Sequence, residues 1–360
     1  MISIVKPQIG EAERQEVIKV LNSGMLASGE WVAQFEKDFA SYLQVPFGVA
    51  TSSGTTALHA LMLALGIQEG DKVLTTPFSF VASANAIIYC GAQPIFVDID
   101  PNTYNICPKA LAEAIRQHPD AKAVLVVHIF GLAAQMKEIC HLTDKHGLLL
   151  IEDCAQAHGA EYQGEKVGTF GVAAAFSFYP TKNITCGEGG MVTTSDEKIA
   201  HSVARIINHG QHKRYHHHQL GYNFRLTNIH AAIGIQQLKK LDKFNQQRIS
   251  NAEFYRQHIN NNNIRLPYQP DNCKHVYHQF TVQVSMRERF AAYLQQQGIG
   301  CAVHYPIPIP HQPLYRQMYN FSQRWPVAEA LCCNCLSIPV YPGLTPTQLQ
   351  YITEVVNNYV

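Results

Sequence analysis

Apolar residues recur at helical spacing from the start of the chain. Val17, Ile18, Val20 and Leu21 give Glu11 to Asn22 one apolar face, and a second amphipathic helix runs through Phe35 and Phe39. The loop between them, Ser23 to Gly29, is punctuated by glycine, and Phe47 to Ala50 reads as a short strand. The turn Thr51-Ser52-Ser53-Gly54-Thr55-Thr56 then leads into Leu58, Leu61, Met62 and Leu65 at helical spacing. From there strands and helices alternate. Val73 to Thr76, Pro94 to Asp98, Ala123 to Val127 and Leu148 to Ile151 read as strands. Phe80 to Cys90, Lys109 to Arg116 and Met136 to His146 read as helices. Short β-branched runs between helices predict a mainly parallel sheet covered on both faces. In such sheets a ligand lies beyond the carboxyl ends of the strands.

Further along, Gly171 to Phe178 reads as a buried strand, Met191 to Thr194 as another, and Asp196 to Ile207 as a helix. A polar, histidine-rich loop spans Asn208 to His218, and one long helix is expected over Ile229 to Phe244. Beyond Asn245 the character changes. Helices are expected around Ala252 and Phe290, a strand over Val276 to Val284, and a proline-rich turn over His304 to His311. The chain thus divides into a large domain, 1–245 with its N-terminal segment, and a smaller C-terminal α+β domain, 246–360.

Composition narrows the function classes. Hydrophobic content of 46%, charged content of 15% and a formal net charge of +1 describe an ordinary globular protein without the basic excess of a nucleic-acid binder. No apolar run reaches the roughly 20 residues of a membrane helix, and the N-terminus lacks a signal-peptide core, so a cytoplasmic location is expected. The ten cysteines are scattered, several in apolar runs, and read as reduced core residues. No metal site is expected. Consecutive His216, His217 and His218 point in different directions without a carboxylate at ligand spacing, which favours a solvated or interface loop.

The candidate chemistry lies in Ser177-Phe178-Tyr179-Pro180-Thr181-Lys182, followed by Gly187, Gly189 and Gly190. Pro180 ends the strand and leaves Lys182 on a turn. Its amine can condense with an aldehyde, and the Ser177 hydroxyl can hold a phosphate; an aldehyde bearing a phosphate is pyridoxal phosphate. The Ser52-Ser53-Gly54-Thr55 turn opens a helix, which makes it either an anion site or simply a well-capped helix start. Asp153 ends a buried strand, where its charge needs a cation such as a pyridinium or a segment to cap.

These residues, in this order, resemble the DegT/DnrJ/EryC1/StrS sugar aminotransferases among the fold-type-I pyridoxal-phosphate enzymes. The likeness covers essentially the whole chain. It includes Gly29 with Phe35-Glu36, Phe80-Val81-Ala82, Phe96 to Asp100, Glu152 to Gln156, Ser177 to Gly190, Asn208-His209-Gly210, Gly221 to Arg225 and His304-Tyr305-Pro306. The resemblance implies an α/β fold-type-I large domain, with a mainly parallel sheet of the seven-stranded type between helices, plus the smaller C-terminal domain. It implies that Lys182 holds the cofactor covalently and that Asp153 pairs with the ring nitrogen. Gln156 would meet the ring hydroxyl, Phe80 the ring face, and Gly54, Thr55 and Ser177 the phosphate. Asn223 would reach the neighbouring subunit's phosphate in a homodimer.

His304 and Tyr305 would lie near the sugar, though a packed proline-rich turn would look the same. Cys186 stands where relatives carry a small or hydroxyl residue and reads as a small buried thiol. The implied reaction moves an amino group from glutamate, through the pyridoxamine form, to C3 or C4 of a keto sugar carried on UDP, GDP or dTDP, with a 4-keto-6-deoxy sugar slightly favoured. The product would feed cell-surface polysaccharide or amino-sugar synthesis. Lysine at 182, where dehydrating relatives carry histidine, favours transamination. A keto-cyclitol aminotransferase, a deoxysugar dehydratase and a non-catalytic cofactor-binding regulator are the other readings.

Overall fold

The computed structural model describes residues 1–319 and 323–360. Seven strands build the main sheet: β1 (Phe47–Thr51), β2 (Lys72–Thr75), β3 (Gln93–Phe96), β4 (Ala121–Val127), β5 (Leu149–Asp153), β6 (Ala173–Ser177) and β7 (Gly190–Thr194). Their order is β1-β7-β6-β5-β4-β2-β3. Neighbours are parallel except at β7, which runs antiparallel to both β1 and β6. Parallel pairing requires long crossovers, and helices Gly54–Ala64, Ala82–Tyr89, Pro108–Gln117 and Met136–His146 supply them between successive strands. The mainly parallel α/β fold read from the sequence is the fold observed.

Strand pleating splits the core in two. Val124, Val126 and Leu150 face one layer with Phe35, Phe39, Phe176 and Phe178. Leu125 and Ile151 face the other, with Leu58, Leu61, Val73, Val192 and Val203. Phe39 is wholly buried, with ring centroids 4.9 Å from Phe176 and 5.2 Å from Phe178. These edge contacts fix the strand that carries Ser177 against helix Glu30–Leu43.

Past residue 258 a three-stranded antiparallel sheet, Ile264–Arg265, Phe280–Val284 and Cys335–Ile338, carries its own core with Tyr255, Phe290, Leu294, Ile352 and Val356. We propose a division near residue 245 on this separation of cores. Helix Leu241–His258 crosses that point, with Leu241 in the first core and Tyr255 in the last. The chain's start joins the C-terminal part, where Ile2 N–H donates to Gly298 O and Ile2 O accepts from Gly300 N–H.

Three local expectations are corrected. The helix expected over Ile229 to Phe244 is two, Asn228–Leu238 and Leu241–His258, broken at Lys239-Lys240. The strand expected from Val276 begins only at Phe280. Tyr277 has φ 43°, and Val276 and Gln279 donate instead to the Gly131 and Phe130 carbonyls. The helix expected from Phe80 begins at Ala82, which leaves Phe80 on the turn before it. The histidine-rich loop is exposed and holds a small hairpin, Gln211–Lys213 with His216–His217.

Candidate active site

Sheet register assembles the candidate residues at one edge. Thr51 pairs with Gly190 and Gly190 with Ser177, so the ends of β1 and β6 flank the start of β7. Asp153 ends β5 and pairs with Ala175, two residues before Ser177. The chain then leaves β6 and turns through Pro180, which sets Lys182 beyond the strand ends. Thr185 stabilises this turn by donating to Phe178 O at 2.9 Å.

Helix Gly54–Ala64 begins at the same place. Ser53 caps it by accepting from Thr56 N–H at 3.2 Å, and the first helical bond runs from Ala57 N–H to Ser53 O. The N–H groups of Gly54 and Thr55 are therefore left at the positive end of the helix dipole. Gly54 lies so close to Ser177 that a Cβ on it would sit 2.6 Å from Ser177 Cβ. Two free amides and a serine hydroxyl thus converge, a donor set suited to a phosphate.

Asp153 is buried, and among the described residues its carboxylate accepts two hydrogen bonds. Ser83 Oγ–H donates to Oδ2 at 2.7 Å and Ala155 N–H to Oδ1 at 3.1 Å. Burial raises its pKa; Ser83, Ala155 and the Lys182 charge oppose that rise. Such a group favours a cationic neighbour, and a pyridinium nitrogen fits. Burial brings the Lys182 amine down to about 8, against the pull of Asp153. Neutral amine, the form that can attack an aldehyde, is thereby accessible near neutral pH.

Gln156 is held from both ends. Phe130 N–H donates to its Oε1 at 2.8 Å, and its Nε2 donates to Tyr305 Oη at 3.1 Å. Phe80 is 56% exposed with its ring centroid 6.2 Å from that of Tyr305, so two aromatic rings border the site. His304 joins Tyr305 by a cis peptide, and its Nδ1 lies 3.1 Å from Ser337 Oγ. Burial, with the Lys182 charge, lowers His304 to about 4, so it is neutral at physiological pH. Lys182, Asp153, Gln156, Ser177, Gly54, Thr55, Phe80 and Tyr305 are brought together. Asn223 is not joined to them by any side-chain hydrogen bond among the described residues. It is exposed, next to Phe224, whose carbonyl accepts from Ser52 N–H at 2.7 Å. Cys186 is wholly buried, and burial pushes its thiol upward.

Several residues carried no readable signal. Ser83, inside an unremarkable helix, links Asp153 to Ser79 Oγ at 2.9 Å. Asn183, beside the lysine, is clamped by a relay of fixed polarity. Its Nδ2 donates to Val276 O and to Asn245 Oδ1, while Asn245 Nδ2 donates to His158 O. Carbonyls only accept, so Asn183 Oδ1 must receive the Nδ1–H of His278, 3.2 Å away. Each partner lies more than sixty residues from Asn183 except His158, which enters through Asn245. No spacing rule could have found them.

The fold, the lysine turn and the donor set around it define a pyridoxal-phosphate aminotransferase. Comparison with known proteins narrows the class. A family model described as the DegT/DnrJ/EryC1/StrS aminotransferase family matches residues 7–357, and the chain belongs to that family. It is 38% identical to a "Pleiotropic regulatory protein" of Geobacillus stearothermophilus, over 96% of this chain and 94% of the relative. It is also 38% identical to the UDP-N-acetyl-3-dehydro-alpha-D-glucosamine 3-aminotransferase of Acidithiobacillus ferrooxidans, over 94% of this chain and 91% of that one. Among solved structures, S. venezuelae DesV in complex with a ketimine intermediate superposes with a TM-score of 0.93 at 34% identity, covering 97% of this chain and 95% of DesV.

Proposed function

We propose that the chain transfers the amino group of glutamate to a keto carbon, C3 or C4, of a sugar carried on a nucleotide, in the service of cell-surface polysaccharide or amino-sugar synthesis. Pyridoxal phosphate, when bound, supplies the aldehyde carbon that carries the amino group and a ring that accepts electrons. The chain's own residues do the rest. Gly54 N–H, Thr55 N–H and Ser177 Oγ would hold the phosphate, Asp153 the ring nitrogen and Gln156 the ring hydroxyl, with Phe80 across the ring face. Lys182 Nζ would hold the cofactor's aldehyde carbon, and as a free amine it is the group placed to take the proton from the donor's α-carbon and to return one during amination of the keto sugar, with His304 and Tyr305 at the sugar's side.

The observation that carries this reading is the convergence of Lys182, Asp153 and Ser177 at the ends of neighbouring strands, with the lysine's pKa lowered to about 8. The keto-sugar acceptor is supported by the A. ferrooxidans relative, named for a UDP-linked 3-keto sugar. Exposed Asn223, on the strip Tyr222–Arg225 beside the Ser52 turn, supports a homodimer in which it reaches the partner's phosphate. A cytoplasmic site of action accords with the fact that no described helix is long and apolar enough to cross a membrane.

The test is spectroscopic. Purified protein with pyridoxal phosphate should show a visible band that glutamate moves to the near ultraviolet and a keto-sugar nucleotide restores, with no band in Lys182→Ala. A band that no amino donor shifts would instead support a non-catalytic regulator. The G. stearothermophilus relative's name gives that second reading its footing.

A further inference from the structure

Three histidines lie in the field of the Lys182 charge: His158, His278 and His304. Burial and that charge keep all three neutral, so each has one bare ring nitrogen with which to accept a hydrogen bond. They differ in what that nitrogen can reach. Both ring nitrogens of His158 are enclosed without a hydrogen-bond partner, among the rings of Phe39, Phe176 and Phe178. His304 Nδ1 faces the Ser337 hydroxyl, which can donate or accept and leaves the ring free to take either tautomer.

His278 is fixed. Val276 O and His158 O only accept, which turns the Asn183 and Asn245 side chains one way and leaves Asn183 Oδ1 to receive the Nδ1–H of His278. A neutral imidazole carries one proton, so His278 Nε2 is a bare lone pair. It has no partner among the described residues, and unlike the His158 nitrogens it is not fully enclosed. The backbone that carries the ring is held as well. Asn245 and Arg248 lie three residues apart on helix Leu241–His258, and Arg248 Nη1 donates to the Tyr277 and His278 carbonyls at 3.2 and 3.3 Å. The groups whose charge bears on the ring are Lys182, Arg248, His304 and His158, and all of them act with burial against imidazolium. Nε2 therefore stays an acceptor across the physiological range.

Lys182 needs such an acceptor. Its ammonium offers three donors, yet only burial and the Asp153 charge act on it, with no hydrogen bond. When the cofactor is present, Asp153 is assigned to the ring nitrogen. Asn183 follows Lys182 directly, so the clamp that fixes His278 also anchors the lysine's own backbone.

We propose that His278 is a positioning residue for Lys182: its bare Nε2 takes a hydrogen bond from the Lys182 amine whenever that amine is free, and gives it one orientation whether or not it carries its extra proton. The inference rests on the role given to Lys182 above and adds the group that orients it.

The first readout needs neither cofactor nor substrate. In cofactor-free protein carrying isotope-labelled histidine, nuclear magnetic resonance should show one neutral imidazole protonated at Nδ1, whose Nε2 resonance steps near pH 8 as the lysine loses its proton. The step should be several-fold smaller at Nδ1, absent in Lys182→Met, and missing with the whole signal in His278→Gln. Protonation of His278 at Nε2 would overturn the proposal, as would equal steps at both nitrogens, which mark a field without contact. Two variants then divide the functions of the ring. His278→Asn keeps a donor for Asn183 and removes the acceptor, whereas His278→Gln keeps an acceptor where Nε2 stood. His278→Asn should move the acylation midpoint of Lys182 about half a unit below wild type. In the loaded enzyme it should lower kcat about tenfold with KM for the amino donor unchanged, while His278→Gln stays within about threefold of wild type. Equal losses, or the reverse order, would reduce His278 to a support for Asn183 and overturn the proposal. Should neither variant fold, the wild-type resonance decides alone. Resonance and acylation are both read without donor or acceptor, so a cofactor band that glutamate fails to shift would sink the choice of glutamate and leave this inference standing.

Discussion

Glu152 and Asp153 are neighbours on one strand, both buried, and they face opposite layers with opposite fates. The Glu152 carboxylate is saturated. It accepts from the amides of Gly168, Phe170 and Gly171, each at 2.8 Å, and its Oε2 lies 3.0 Å from His128 Nε2. His128 Nδ1 accepts in turn from Ala134 N–H, so Nε2 carries the proton and donates to Glu152. With Cys154 these two form a cluster of possible metal ligands within 4.8 Å of one another. Their lone pairs are nonetheless committed to the protein: Glu152 ties the loop before β6 to the sheet. Asp153, with two partners and a raised pKa, is left with capacity to accept more. Burial alone does not mark a functional acid; unmet hydrogen-bonding capacity beside a strand end does.

Removing the saturated acid should have the largest effect. Glu152→Ala would strand the buried Gly168 amide, the half-buried amides of Phe170 and Gly171 and the buried His128 N–H, and should cost about 3–5 kcal/mol of stability by urea unfolding. A loss under about 1 kcal/mol would break the contrast. Asp153→Asn should act the other way, lowering amino transfer about a hundredfold, or roughly 2.7 kcal/mol of barrier, while sparing the fold. Its sign in stability follows from linkage. The folded-state pKa is raised, so the native protein binds more protons than the unfolded chain, and cofactor-free wild type should lose stability as pH rises above the ordinary carboxylate range. Asp153→Asn should abolish that decline.

The same substitution sharpens the reading of Lys182. Acylation of the cofactor-free protein should follow a lysine with a midpoint near 8, because burial lowers the amine to about that value. Asp153 is the group that favours the ammonium form, so Asp153→Asn should move the midpoint lower still. A midpoint at an ordinary lysine value in either protein would remove the basis for Lys182 as a base near neutral pH.

How much of this was legible beforehand divides along the same line. Met136 to His146 and the strand leading to Asp153 follow local apolar periodicity and turn residues, so the sequence revealed them, together with Lys182 on its proline-bounded turn. The break at Lys239-Lys240 was hidden because no proline or glycine marks it. The late start of strand Phe280–Val284 was hidden because Gly131 and Phe130, far away in sequence, capture the backbone of residues 276–279. Asp153 was visible as a carboxylate at a strand end. What makes it differ from Glu152 was not, because the amides that saturate one acid and the serine that supports the other meet them only through the fold.

Ser83 gives the finest test of the contrast. Its hydroxyl donates to Asp153 Oδ2 at 2.7 Å and lies 2.9 Å from Ser79 Oγ; because Ser83 spends its proton on the carboxylate, Ser79 must donate to Ser83. The pair forms a directed chain ending on the acid, and it is the largest influence holding the Asp153 pKa down. Ser83→Ala removes one hydrogen bond to a charged group and leaves the helix propensity no worse, so stability should fall by only about 1–2 kcal/mol. The Asp153 carboxyl should then rise further. The pH profile of amino transfer should move upward on its acid side, with a rate loss of roughly fivefold at neutral pH that shrinks as pH is raised. Ser83→Thr, which keeps the hydroxyl, should restore the wild-type profile. An acid limb that stays in place in Ser83→Ala would show that Asp153 gains its charge from the cofactor alone and that the serine chain only packs the helix.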